Sequence, residues 1–181
     1  MATEQSQVLP KLRELGSTKT IGLISDTHVP ARARETPKEV FVVFEDVDFI
    51  VHAGDLVDLS VIDELEEIAP VLAVHGNMDG PQIRSTLPQM NSLQVLEWTI
   101  GVIHDPGALF GMGRMRGIAE QNHFDALVYG HTHNPSMKWE GPILFINPGS
   151  PTNPLPPFIV KPTVALLKIT RDKIMPEIIQ L

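Results

Sequence analysis

Short apolar runs recur along the first half of the chain, and each of them ends in polar residues. Residues 19–24, 48–51 and 71–74 are such runs, and their length and bounds are typical of buried β-strands. Between them, residues 36–47 and 60–69 place apolar side chains three and four positions apart, which predicts two amphipathic helices. Because strands and helices alternate, this half of the chain predicts a layered α/β fold with parallel strand pairing.

Each of these two helices carries a start signal. Thr36, Pro37 and Glu39 form a capping-box pattern, in which Thr36 is the predicted N-cap of the first helix. Ser60 is the predicted cap of the second helix, and Pro70 is predicted to end it.

The second half of the chain is richer in strands than in helices. Residues 94–98 and 99–103 predict a β-hairpin, and residues 112–119 predict a helix. Further strands are predicted at residues 126–129, 137–139, 143–146, 164–169 and 173–179. No repeat or linker divides the chain, so we expect an N-terminal extension over residues 1–18 and a single domain over residues 19–181.

Composition narrows the class of protein. The chain has 181 residues, of which 43% are hydrophobic, and it carries a formal net charge of -8. This acidic balance argues against long nucleic acids and anionic membranes as partners, because both require clustered Lys and Arg. No cysteine is present, which excludes disulfides, iron–sulfur clusters and thiolate zinc sites. The sequence shows neither a signal peptide nor a membrane-spanning run, so we expect a cytoplasmic protein.

Residues that bind metal ions follow five of the apolar runs. They are Asp26 and His28, Asp55, Asn77, His104, and His131 with His133. Sites gather at the carboxyl ends of strands in α/β sheets, so we expect these side chains to meet. An H-x-H pair alone is more often two polar residues in an exposed turn than a metal site. If the backbone stays extended, however, His131 and His133 point the same way.

The number and type of these side chains predict a dinuclear metal centre. Seven candidates exceed what one tetrahedral ion needs, and they suit two ions about 3.5–4 Å apart with one bridging carboxylate. A mixture of imidazole and carboxylate ligands favours Mn, Fe, Zn, Co or Ni over Ca or Mg.

The order of the motifs resembles that of a known family. The motifs are DTH (26–28), GD (54–55), GN-x-D (76–79), an isolated His104, GHTH (130–133) and NPGS (147–150). They resemble the calcineurin-like metallophosphoesterases, and most of all the small YfcE-like phosphodiesterases, a group that includes a scaffold subunit of the retromer sorting complex. The resemblance runs from about Ile21 to Ser150 and implies a four-layer αββα sandwich of two mixed β-sheets flanked by helices.

The resemblance also implies roles for individual residues. One ion would be held by Asp26, His28, Asp55 and His133. The other would be held by Asp55, Asn77, His104 and His131, so that Asp55 bridges. Asp55, Asn77 and His104 would be catalytic in a metal-dependent phosphodiesterase, where a metal-bridging hydroxide attacks a small or nucleotide-like phosphodiester.

Three positions depart from the family pattern. Met78 stands where many relatives carry a histidine that helps the leaving group depart. His104 is followed by Asp105 and Pro106, so the second histidine of the family's H-G-H motif is missing. The arginine that often follows NPGS in relatives is also absent.

Other polar residues are assigned weaker roles. His75 and Asp79 could support a ligand through a hydrogen bond, although a plain turn-capping role is equally open for Asp79. His52 is expected to be a packed or hydrogen-bonded core residue.

Two classes of function remain open from the sequence. The unbroken set of histidines favours an enzyme. The alternative is a protein-interaction scaffold on the same fold with little or no catalysis, for which the apolar loop 155–160 leaves room. The same loop leaves a homo-oligomer open.

Overall fold

Two five-stranded β-sheets form the centre of the molecule in the computed structural model, which describes residues 18–156 and 159–181. Within these residues the strands are β1 (Thr18–Ile24), β2 (Phe49–His52), β3 (Val71–Ala73), β4 (Met90–Val95), β5 (Trp98–Ile103), β6 (Ala126–Val128), β7 (Ser136–Glu140), β8 (Ile143–Asn147), β9 (Thr163–Thr170) and β10 (Ile174–Gln180). The helices are α1 (Lys38–Phe44), α2 (Ser60–Glu66), α3 (Pro81–Thr86) and α4 (Met112–Gln121), with a short 3-10 helix at Ala108–Phe110. The predicted N-terminal extension lies outside the described residues, apart from Thr18.

The first sheet has the strand order β10-β9-β1-β2-β3. β1, β2 and β3 pair in parallel, while β9 and β10 are antiparallel to their neighbours. Because Ile24 is in register with His52, the loops that follow β1 and β2 leave the sheet side by side. The second sheet has the order β4-β5-β6-β8-β7, and β5, β6 and β8 are parallel. The loops after β5 and β6 therefore also leave at one edge.

Three buried apolar clusters fix the layers. The largest lies between the two sheets and includes Leu23, Val51, Val102 and Val128. A second cluster packs α1 and α2 on the outer face of the first sheet, and a third packs α4 on the outer face of the second. This arrangement confirms the predicted αββα sandwich of two mixed sheets. None of the described helices is long and apolar enough to cross a membrane.

The helix-capping predictions were wrong. Helix α1 begins at Lys38 with Pro37 as its N-cap, and the buried Thr36 hydroxyl makes no hydrogen bond. Thr36 is only 2% exposed, so its side chain packs inward and does not reach the helix amides. Ser60 is the first residue of α2 and not its cap. Its N–H donates to Asp58 Oδ1 at 2.9 Å, so an upstream carboxylate takes the place of the predicted hydroxyl.

The first strand of the hairpin begins and ends a few residues earlier than the sequence predicts. β4 spans Met90–Val95, and Val95 pairs with Trp98 across a tight turn. Leu96 makes this turn with a φ of 52°. A leucine in the sequence gives no indication of this left-handed conformation, which is uncommon for apolar residues. Helix α3 was not predicted, because six residues are too few for a helical periodicity to show.

Candidate metal centre

All seven candidate ligands lie where strands of the two sheets end. Asp26 and His28 follow β1, and Asp55 follows β2; Asn77, His104, His131 and His133 follow β3, β5 and β6. Their side chains form two adjacent groups.

The first group consists of Asp26, His28, Asp55 and His133. One ligand atom from each residue lies within 4.8 Å of all the others, and all four residues are buried. His28 Nε2 and His133 Nε2 are 3.2 Å apart, and His133 Nε2 lies 3.3 Å from Asp26 Oδ1. Two imidazole nitrogens and two carboxylates that converge in this way provide the donor types that a divalent transition metal prefers.

One oxygen of this group has no hydrogen-bond partner within the described residues. Asp26 Oδ1 is buried and accepts no hydrogen bond, whereas Asp26 Oδ2 accepts from Ser25 Oγ at 2.7 Å and from the His131 N–H at 3.1 Å. Burial raises the pKa of Asp26, although His104 and His133 act in the opposite direction. A buried, unpaired carboxylate oxygen is unfavourable unless something else satisfies it, and a bound cation would do so. The residues therefore fit a metal ion.

The second group consists of Asp55, Asn77, His104 and His131. Asn77 Oδ1 lies 3.0 Å from His104 Nε2 and 2.9 Å from His131 Nδ1. His104 Nε2 is also 3.3 Å from Asp55 Oδ2. Asn77 is exposed and His131 is partly exposed, so this group lies nearer to solvent than the first.

Asp55 is common to both groups. Its Oδ1 accepts the Met78 N–H at 2.7 Å, which leaves Oδ2 to face the site. Oδ2 lies 3.3 Å from His104 Nε2 and 3.8 Å from His28 Nε2. Burial acts to raise the pKa of Asp55, but hydrogen bonding and charge from His104 outweigh it, and the pKa is lowered. A single ionised oxygen thus lies between the two sets of imidazoles.

Backbone carbonyls fix which nitrogen of two histidines faces the site. His104 Nδ1 donates to Ala53 O at 2.8 Å, and His133 Nδ1 donates to Asn153 O at 2.6 Å. Since a carbonyl can only accept, the proton of each neutral ring is on Nδ1 and the Nε2 lone pair points into the site. Burial acts to lower the pKa of His104, but Asp55 and Asp26 raise it overall.

Five of the seven candidate ligands have an unusual backbone conformation. Asp26, His28, Asp55, His131 and His133 have φ values of 55°, 47°, 58°, 68° and 55°, in the left-handed region. They are five of the eight non-glycine residues with positive φ in the described part of the chain. Such conformations are uncommon outside glycine and cluster at functional sites. The backbone does not stay extended through the H-x-H pair: β6 ends at Val128, and His131 and His133 turn toward different ligand groups.

Asp79 connects two of the ligand loops. Its carboxylate accepts backbone N–H groups from Gly76 at 2.7 Å, Val57 at 2.7 Å and Asp55 at 3.0 Å. Arg84 holds the same loop by donating to the carbonyls of Asn77 and Asp79. A supporting role for Asp79 thus has a physical basis.

The other two histidines near the site differ from each other. His75 Nδ1 is buried and has no hydrogen-bond partner among the described residues, so a supporting role for His75 stays a prediction. His52 is fully buried, accepts the Gly54 N–H at 3.2 Å, and has Thr27 Oγ1 3.1 Å from its Nε2. His52 is therefore the hydrogen-bonded core residue that the sequence indicated.

Sequence reasoning missed several supporting residues. Asn147 Nδ2 donates to Gly130 O at 2.8 Å and to Thr132 Oγ1 at 3.0 Å, which shapes the loop of the paired histidines. Ser150 Oγ donates to Asp26 O at 2.7 Å. The NPGS motif was the available signal, but its contacts go to main-chain atoms that no sequence pattern identifies.

Comparisons with known proteins agree with this geometry. Residues 20–172 match the family model described as "Calcineurin-like phosphoesterase superfamily domain". A probable metallophosphoesterase of Methanothermobacter thermautotrophicus is 39% identical over 163 residues, covering 88% of this chain and 91% of that protein. The phosphodiesterase YfcE of Escherichia coli K12 is 31% identical over 150 residues, covering 72% of this chain and 78% of that protein.

The fold is shared with solved structures as well. Vacuolar protein sorting 29 from Cryptosporidium parvum superposes with a TM-score of 0.81 at 22% identity, over 92% of this chain and 93% of that one. The family model covers most of the chain, and its match agrees with the motif order and the sandwich fold. The chain belongs to the calcineurin-like phosphoesterase superfamily.

Proposed function

We propose that this protein is a metal-dependent phosphodiesterase that hydrolyses a small or nucleotide-like phosphodiester at a dinuclear centre. The observation that carries the proposal is the position of Asp55 Oδ2, 3.8 Å from an imidazole of one ligand group and 3.3 Å from an imidazole of the other. Relatives named metallophosphoesterase and phosphodiesterase support the same reaction class.

Each group would hold one ion. Asp26, His28, Asp55 and His133 would bind the first; Asp55, Asn77, His104 and His131 would bind the second. The ions would be Mn, Fe, Zn, Ni or Co, given the mixture of imidazole and carboxylate ligands. When bound, such ions supply Lewis acidity toward a phosphate oxygen and activate water for attack on phosphorus.

The protein itself contributes the fixed orientation of its ligand atoms. When the rings of His104 and His133 are neutral, the Ala53 and Asn153 carbonyls hold the proton on Nδ1, so that each Nε2 lone pair is available to an ion. The Met78 amide holds Asp55 so that one oxygen remains available to both groups. Preorganised donors of this kind do not have to reorient during the reaction, which lowers the barrier.

A protein-interaction scaffold is the second candidate. It is favoured by exposed apolar side chains in the loop that follows the NPGS motif: Leu155 is 40% exposed and Ile159 is 79% exposed. The sandwich fold does not discriminate between the two candidates, because vacuolar protein sorting 29 shares it. The complete set of convergent ligands favours the enzyme, since a scaffold has no need for them.

The decisive experiment is a metal-reconstitution assay. Protein stripped of metal is loaded with each candidate ion and tested on bis(p-nitrophenyl) phosphate and p-nitrophenyl phosphate. We expect diester hydrolysis that disappears in chelator and returns with ion.

Asp55→Asn should abolish turnover and weaken binding of both ions, because the bridging charge is lost. Asp58→Asn, a nearby exposed carboxylate, is the matched control. Full activity in demonstrably metal-free protein, or two tightly bound ions with wild-type turnover in Asp55→Asn, would contradict the proposal.

A further inference from the structure

The outer edge of the second sheet carries two exposed apolar side chains. β7 is the last strand of this sheet, so in the part of the chain that the structure describes it pairs on one side only, with β8. Met137 is 47% exposed and Trp139 is 46% exposed. No other described strand exposes two large apolar residues. An exposed apolar strand edge invites pairing with another strand, and Trp and Met are enriched where proteins meet.

Both side chains project from the inner face of the sheet. Met137 is in register with Ile146, and Trp139 is in register with Leu144. Ile146 and Leu144 belong to the buried cluster between the two sheets. Residues that lie directly opposite each other in antiparallel strands project to the same face. Met137 and Trp139 therefore extend the apolar layer between the sheets past the last strand and out to the surface.

The backbone groups of the same two residues face away from the sheet. The Leu144 N–H donates to Asp125 O at 3.0 Å, on the side of β6, so the backbone of Leu144 points away from β7. Trp139, opposite Leu144, is thus at a position that is not hydrogen-bonded to β8, and its N–H and C=O point outward. Such positions alternate along an antiparallel pair, which places Met137 in the same situation. The edge therefore offers unpaired backbone groups at the residues that also expose apolar side chains.

The charges on the other face of β7 are complementary to those of a second copy of the strand. Lys138 and Glu140 form an ion pair on this outer face. In an antiparallel pair of two β7 strands centred on Trp139, Lys138 of each copy lies opposite Glu140 of the other. A register centred on Lys138 would set two lysines opposite each other, which is unfavourable. A register centred on Met137 would leave both charges without an opposite partner. Charge therefore selects the register centred on Trp139.

We propose that β7 is a self-association surface, through which two copies of this chain pair as antiparallel edge strands about a two-fold axis at Trp139. The two Trp139 side chains meet at the axis, and each Trp139 N–H donates to the Trp139 carbonyl of the other copy. Ion pairs between Lys138 and Glu140 of the partner subunit flank this contact on both sides.

The axis lies away from the metal centres. β7 begins at Ser136, which pairs with Asn147 beside the ligand loops, and runs to Glu140 at the opposite end of the sheet. Trp139 is next to that far end, so pairing at Trp139 leaves the ligand loops of both copies uncovered. The inference goes beyond the proposed function and does not depend on it.

Charge reversal tests the surface and its register together. Lys138→Glu places four carboxylates around the axis, and Glu140→Lys places four ammonium groups there. Each variant should therefore dimerise about tenfold more weakly than the wild type, or worse. The double variant Lys138→Glu/Glu140→Lys restores the complementary pairs and should dimerise as the wild type does. Lys168→Glu is the matched control, because it makes the same change in net charge at an exposed lysine of β9, which has a paired strand on each side.

The measurements are sedimentation velocity and amide hydrogen exchange of the full chain over a range of protein concentrations. We expect the wild type and Lys168→Glu to become dimeric as the concentration rises. The N–H groups of Met137 and Trp139 should be protected in the dimer and exchange faster in the monomer. An equimolar mixture of the Lys138→Glu and Glu140→Lys proteins should form a mixed dimer, because opposite charges then face each other across the axis.

Three results would overturn the inference. The first is a wild type that stays monomeric up to its solubility limit, which would leave the edge to a strand of another protein. The second is a dimer in which the Met137 and Trp139 amides exchange freely, since its contact would then lie elsewhere on the molecule. The third is a folded double variant that dimerises no better than either single variant, because complementary charge would then not set the pairing.

Discussion

At the scale of single residues, Met78 shows how main chain and side chain can serve a site separately. Its N–H donates to Asp55 Oδ1 at 2.7 Å, a contact that any residue except proline could make. Met78 is 53% exposed, and the family resemblance implies that many members carry a histidine at this position. A thioether cannot donate a proton, so the residue leaves general-acid assistance to another group or to solvent.

This substitution predicts a dependence on the leaving group. General-acid help is typically worth about 10²–10⁴-fold, and its absence should penalise poor leaving groups most. We expect the wild type to cleave aryl diesters far faster than alkyl diesters. Met78→His should raise the alkyl rates more than the aryl rates. The measurement is the rate as a function of leaving-group pKa for both proteins, with metal content determined in each.

This prediction would be contradicted if the wild-type rate depended only weakly on leaving-group pKa while the chemical step was shown to limit the rate. Another residue would then supply the proton, and Asp79 and Asp105 would be tested next.

The residue types of the candidate ligands were predictable from the sequence. The groups that hold these ligands in place through hydrogen bonds were not. Asp26, Asp55 and His104 stand out because each follows an apolar run. The carbonyl of Ala53, which fixes the tautomer of His104, carries no signal, since every residue has a carbonyl. Ligand roles remain a prediction; the structure contributes the proximity of the side chains.

At the scale of elements, the site depends on how closely the loops after parallel strands approach one another. The loop after β3 runs beside Asp55, and a Cβ added at Gly76 would lie 2.6 Å from the Asp55 backbone nitrogen and would overlap its carboxylate. Gly80, four residues later, has no heavy atom within 4 Å of such a Cβ. The sequence predicted the strands and hence this edge. It did not reveal the left-handed turns at the ligands, because those are imposed by contacts between loops.

The two glycines provide a paired test of this approach. Gly76→Ala should displace Asp55, weaken binding of both ions and lower the free energy of unfolding by about 1–3 kcal/mol, as overpacking does. Gly80→Ala should bind metal as the wild type does and cost at most about 1 kcal/mol, the size of a helix-cap effect. Urea unfolding and metal titration of each variant are the measurements. Equal effects of the two substitutions would show that close packing at Gly76 is not what holds Asp55.

At the scale of the whole molecule, the sandwich buries polar groups where its ligand loops meet. His52 is the clearest case: burial lowers its pKa to about 3, with a smaller contribution from His104 in the same direction. Its two hydrogen bonds join the backbone of Gly54 to the Thr27 side chain, and so connect the loops that follow β2 and β1. The sequence identified His52 as a core residue, but this connection depends on strands β1 and β2 being neighbours. Stability of the metal-free protein should therefore depend on pH through a residue that is not itself a ligand.

The sign of that dependence follows from proton linkage. The pKa of His52 is about 3 in the folded protein and 6.5 for the unperturbed group, so between these values the unfolded state binds one more proton. The contribution of His52 to stability is complete above about pH 6.5 and falls by about 1.4 kcal/mol per pH unit as the pH decreases toward 3.

His52→Gln removes the titrating group and keeps a neutral hydrogen-bonding side chain. Between pH 7.5 and pH 5 we expect the metal-free variant to lose about 2 kcal/mol less stability than the wild type, measured by urea unfolding. His123→Gln, at an exposed position, removes a histidine from the surface and should leave the wild-type slope unchanged. The same slope in all three proteins would mean that His52 becomes protonated without unfolding the structure around it.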